Sequence, residues 1–129
     1  MKDPRVYLAH ILERIERIAQ YTAAGKETFF SDPMMQDAVI RNLEIIGEAA
    51  RRISREYQEK HPEIPWRGMK ALRNVLIHEY EGVDMDQVWE VIEGELPPLK
   101  ASLEKFLPPL NELEAELAGD SEKSDNTDY

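Results

Sequence analysis

Two Asp-Pro steps, Asp3-Pro4 and Asp32-Pro33, each stand at the head of a run of apolar residues spaced three and four apart. That pattern commits the chain to helix. The Asp of each step supplies an N-cap acceptor, and the Pro takes the first helical position, where its missing N–H is no loss. After the first step come Leu8, Ile11, Leu12, Ile15, Ile18 and Ala19, and Gly25 is expected to end that helix. After the second, Met35, Ala38, Val39, Asn42, Leu43, Ile46, Ala49, Ala50, Ile53 and Tyr57 form one stripe. It predicts a single long helix over 33–59, stopped by His61-Pro62.

The rest of the chain reads the same way. A loop over His61–Arg67 leads to a third helix with Met69, Leu72, Leu76 and Tyr80 inward and Gly82 just past its end. Val83-Asp84 opens a fourth: Asp84 is the N-cap, and Val83 and Val88 are placed as a hydrophobic staple. Trp89, Ile92, Leu96, Leu99, Leu103 and Phe106 continue it, and Pro97-Pro98 should kink it. Pro108-Pro109 breaks the chain, Asn111–Ala118 is a weak last helix, and the polar residues from Gly119 onward are expected to be disordered. There is no strand signal, internal repeat or Gly-rich phosphate loop. The expected architecture is an all-α bundle of four to five helices over 1–107, with a kinked fourth helix. A weak helix and an acidic tail over 108–129 would follow.

Charge is unevenly spread. The formal net charge of the 129 residues is −10. Seven acids and one Lys after Leu107 carry −6 of it, while Arg51–Arg73 holds seven bases against three acids. An acidic chain is a poor non-specific binder of nucleic acid, but a local basic stripe can grip a few phosphates. The plainer reading of that stripe is a solvated helix face. With no Cys, disulfides, thiolate zinc sites and a Cys nucleophile are excluded, and a reducing cytoplasm is compatible. No apolar run approaches a membrane span, and the N-terminus has no secretory pattern, so a soluble cytoplasmic protein without membrane contact is expected.

The chemistry concentrates in Arg73-Asn74-Val75-Leu76-Ile77-His78-Glu79-Tyr80. An Arg neutralises phosphate with a planar fork of donors, a His moves protons near neutral pH, and a Tyr orients or donates. The set suits phosphodiester chemistry without a metal or other cofactor. On a straight helix Arg73 and Tyr80 share a face, whereas Arg73 and His78 stand about 140° apart. Either the helix loosens near His78, or two chains meet across a two-fold axis to complete the site. Plainer readings exist for each residue: a dipole partner at a helix end for His78, a surface ion pair for Arg73, a core ring for Tyr80. His10 and His61 read as structural. Glu48, within Gly47-Glu48-Ala49-Ala50, either reaches the site to fix Arg73 or His78 or simply belongs to a close helix contact.

Arg, four residues, His, one residue, Tyr, with Asn directly after the Arg, resembles the signature of HEPN-domain ribonucleases. More narrowly the chain is similar to the HepT toxins of toxin–antitoxin pairs. Asp32-Pro33, Leu43–Ala50, Ile64-Pro65-Trp66, Val83-Asp84 and Val88-Trp89 share in the resemblance, which runs from Asp3 to Leu107. Leu72 is a departure, since the family often has a small residue there. The resemblance implies a homodimer with the motifs near the two-fold axis and metal-independent RNA cleavage between them. It implies Arg73 and His78 as the catalytic pair, Asn74 as the polar supporter, and Tyr80 as acceptor of AMP from a minimal nucleotidyltransferase antitoxin; Glu48, where it reaches the site, would be a second supporter on the residue reading alone. A different expectation is a non-catalytic HEPN module that binds nucleotide or docks such a partner. The long stripe, with Trp66 and Trp89, also offers more apolar surface than one short bundle covers, and hence suggests a dimer.

Overall fold

The computed structural model describes residues 3–77 and 82–123, except the side chains at 70, 73, 74, 76, 77, 110 and 119–123. Every element among the described residues is helical. The order is α1 (Pro4–Tyr21), α2 (Lys26–Ser31), α3 (Pro33–Arg51), α4 (Arg55–Lys60), α5 (Trp66–Ile77), α6 (Met85–Glu90), a π-helical turn (Val91–Glu95), α7 (Leu96–Phe106) and α8 (Leu110–Lys123). The pieces outnumber the four or five helices expected because two short elements and two interruptions have no periodic signature.

Both Asp-Pro starts form as read. Asp3 accepts from the Arg5 amide at 2.9 Å, and Asp32 accepts from Met34 and Met35 at 3.0 and 3.2 Å. α1 lies along α3, which packs on α5, while α1 also touches α7. Leu8, Ile11, Ile15 and Ile18 meet Val39, Leu43 and Ile46 in the core, all almost wholly excluded from water. Two polar side chains are buried among the described residues: the Thr22 hydroxyl donates to the Ile18 carbonyl at 2.8 Å, and the Asn42 amide donates to the Ala38 carbonyl at 2.8 Å and accepts from Arg14 at 3.4 Å.

α1 ends at Tyr21, and Gly25, at φ +101°, turns the chain into α2. A side chain there would be strained. α2 is too short for periodicity to reveal, yet its Phe29 is fully buried against Phe30 and Trp89. The single helix over 33–59 is two helices. α3 stops at Arg51, and Ser54 caps α4 by accepting from the Tyr57 amide at 3.1 Å. Ile53 stays buried across the break, which is why the stripe looked unbroken.

α5 begins at Trp66, so the loop before it is shorter than expected. The Trp66 indole donates to the His61 carbonyl at 3.0 Å. Asp84 caps α6 as expected, accepting from the Asp86 amide at 2.9 Å. Ahead of Pro97-Pro98 the helix widens into the π turn, closed by a bond from the Leu96 amide to the Val91 carbonyl. The two prolines cannot donate to carbonyls a turn back, and their rings crowd those carbonyls, so a wider turn before them relieves both problems.

The last helix is longer and better seated than its sequence suggested. It runs through Gly119 to Lys123, buries Leu113 against the core, and pairs Glu116 with Arg5. Trp66 is half-buried, so the two tryptophans invoked for a dimer do not form an exposed apolar face among the described residues. Trp89 is buried with its indole on Glu93 at 2.5 Å, and only Met34 and Tyr21 stand out as exposed large hydrophobics.

Candidate active site along α5

α5 is held by one apolar face. Met69, Leu72 and Val75 are buried, so the helix that leads into the motif is anchored in the core. The backbone of Arg73 and Asn74 lies in its last turns. Their side chains, and His78 and Tyr80 entirely, lie outside the described residues, and with them the Arg73–His78 separation.

Beside α5 runs a cleft of about 270 Å³, lined by Ala71 and Val75 on one side and Gln87, Glu90, Val91 and Glu95 on the other. The Glu95 carboxylate comes so close to α5 that a Cβ on Gly68 would lie 3.3 Å from it. These polar residues come from α6 and the π turn. Sequence reading missed them, and the small residues Gly68 and Ala71 were the available signal that something passes close to α5.

Glu48 is exposed and bridges to Arg51 on its own helix at 3.3 Å. The close-contact reading of its neighbour also lacks support, because a Cβ on Gly47 would meet nothing within 4 Å among the described residues. Only Ala49 of that step is buried. Within the basic stripe, Arg51 pairs with Glu48 and Lys60 with Glu56. Arg52, Arg55 and Arg67 are exposed, with no carboxylate in ion-pair range among the described residues.

His61 is structural: its ring packs on Tyr57 and Phe106 at 4.3 and 5.0 Å, and Nδ1 lies 3.3 Å from Glu63. His10 is exposed on α1. Shifted titrations cluster around the α1 N-terminus. Hydrogen bonds from Arg5 hold the Asp3 carboxyl below the usual carboxylate range, and Arg5 is itself raised by Asp3 and then Glu116. Burial, then the Asp3 charge, pushes the Tyr57 phenol up. Among the described residues no three His, Asp or Glu side chains converge to hold a metal, and no helix is long and apolar enough to cross a membrane.

An all-α bundle with this motif running from α5 is of the HEPN type. A model of the Ribonuclease HepT-like family matches residues 11–106. The chain is 46% identical over 101 residues to the "Probable ribonuclease HepT" of Thermococcus cleftensis, covering 78% of this chain and 92% of that protein. It is 42% identical over 108 residues to a "Putative RNase" of Caldanaerobacter subterraneus, covering 83% and 96%. A Methanocaldococcus jannaschii protein named as both a gamma-glutamylcyclotransferase and a "putative RNase" is 44% identical over 111 residues, 85% of this chain, and the chain spans 50% of that protein. No solved structure matches. The chain belongs to the HepT-like ribonuclease family.

Proposed function

We propose that the chain is the toxin of a type VII toxin–antitoxin pair, a metal-independent endoribonuclease of the cytoplasm that works as a homodimer. The observation that carries this reading is the intact Arg73–His78–Tyr80 motif continuing from an anchored helix in a chain of this ribonuclease family. His78 takes the proton of an RNA 2′-OH. The freed oxygen attacks the adjacent phosphorus, and the 5′-oxygen leaves with a proton, giving a 2′,3′-cyclic phosphate and a 5′-hydroxyl. Arg73, supported by Asn74, stabilises charge developing on the phosphoryl oxygens. General-base help of this kind is worth about 10²–10⁴-fold.

Control would fall to a nucleotidyltransferase antitoxin that moves AMP from ATP to the Tyr80 oxygen, releasing pyrophosphate. The added anion would occupy the place the substrate phosphate needs. Cleavage of RNA by the purified chain in EDTA, abolished in Arg73→Ala and in His78→Ala, tests the first part. Full activity of His78→Ala would refute it. Intact mass after co-expression with the partner tests the second, since Tyr80→Phe should lose the AMP increment.

The carboxylates of Glu90 and Glu95 beside α5, with the acidic net charge, favour a second reading: a non-catalytic module that binds nucleotide or docks a nucleotidyltransferase. The same EDTA assay separates the two.

A further inference from the structure

A groove of about 470 Å³ lies between α1 and α8. Its floor is Val6, Ala9 and Leu12 of α1 against Leu113 and Leu117 of α8. A second depression of about 300 Å³ shares Leu12, Glu16, Leu107 and Pro108 with it, so the two form one trough. The walls are carboxylates: Glu13 and Glu16 from α1, Glu104 from α7 and Glu114 from α8, all exposed. Among the described residues, His10 is the only nitrogenous side chain in either lining. The nearby arginines are engaged, Arg17 by Glu13 at 3.0 Å and Arg5 by Asp3 and Glu116.

We propose that this trough docks a cationic amphipathic helix of a partner protein. The helix would lay an aliphatic face on the floor and set Lys or Arg on both flanks against the glutamates. The charge pattern selects this occupant. A second copy of this chain brings a net −10, residues 124–129 contain acids and no base, and RNA would meet four carboxylates. The proposal is independent of the catalytic reading, since every residue it uses lies on α1, α7, α8 or the link between the last two.

The test uses the full chain and a fluorescein-labelled synthetic helix with Leu at i, i+3, i+4 and i+7 and Lys at the flanking positions. Micromolar binding by anisotropy is expected, with backbone amide shifts confined to residues 6–16 and 104–117. Glu16→Lys/Glu114→Lys should weaken binding about tenfold, because each reversal replaces an attraction with a repulsion. Ala9→Tyr, which fills the floor without changing charge, should also weaken it. Glu27→Lys/Glu59→Lys, exposed on α2 and α4, should leave affinity within about twofold. Equal losses in both charge-reversed proteins, or equal binding of a peptide with Glu for Lys, would overturn the proposal. So would shifts elsewhere in the chain, or groove shifts produced by protein concentration alone or by single-stranded RNA.

Discussion

Replacing Leu113 with Ala tests whether α8 is part of the fold or a loose appendage. Leu113 is only 2% exposed and belongs to the core cluster, although it follows the Pro108-Pro109 break. Truncation removes roughly three carbon groups, a transfer loss of about 2.4 kcal/mol at ~0.8 kcal/mol each. A cavity contribution adds to this, kept small because the site borders the α1–α8 groove, where the walls can relax or water can enter. The expected cost is about 3 kcal/mol. At an unfolding entropy of roughly 2.1 cal/mol/K per residue, this lowers Tm by about 10 °C. Urea unfolding followed by Trp fluorescence and far-UV circular dichroism gives the cost, with the two probes coincident and the slope unchanged. Leu117→Ala, at a half-buried position, should cost visibly less. A Leu113→Ala cost under about 0.5 kcal/mol, ordinary for a surface site, would show that α8 does not seat as described.

Asp3→Asn keeps the N-cap acceptor and removes the charge, so it isolates the pairing with Arg5. Because the folded Asp3 carboxyl is depressed, its stabilisation is present above the unfolded value near 3.8 and is lost as pH falls through the folded value. The wild-type advantage, at most about 1 kcal/mol at neutral pH, should therefore shrink below about pH 4 in parallel urea titrations. Phe29→Ala should cost about 3–5 kcal/mol by the same method, because a fully buried ring that touches Trp89 leaves a large void. Arg73→Ala and His78→Ala should abolish RNA cleavage with stability changes within about 1 kcal/mol; a cooperative loss of helicity in either would mean the residue is structural.

Helix starts were the most legible part of the fold, because Asp-Pro and Asp84 act through local hydrogen bonds that a sequence displays. The interruptions were not. Ile53 and Tyr57 keep the phase of the α3 stripe across a break made by Ser54, so periodicity alone could not find it. The π turn follows from how Pro97-Pro98 meets the turn before it, and the sequence allowed a kink without specifying its form. In α8, Leu113 and Leu117 are a fair helical pair hidden among glutamates, and their burial depends on where α1 passes. The motif was legible as a set of residue types. The cleft beside it was not, because Gln87, Glu90 and Glu95 reach α5 only through packing between distant elements.

Asn42 has a consequence for which structure is chosen rather than how stable it is. Apart from that amide, the buried residues of α1 and α3 are Leu, Ile, Val and one Ala, and such aliphatic ridges tolerate a slide of one turn, about 5.4 Å. The buried amide does not. Its nitrogen is satisfied within α3, but its oxygen depends on Arg14 reaching across from α1. A slide would leave that oxygen without its partner in a dry interface, a penalty of about 1–3 kcal/mol charged only to the wrong alignment. Asn42→Leu should therefore yield a protein that is no less stable yet populates more than one stacking of its two longest helices.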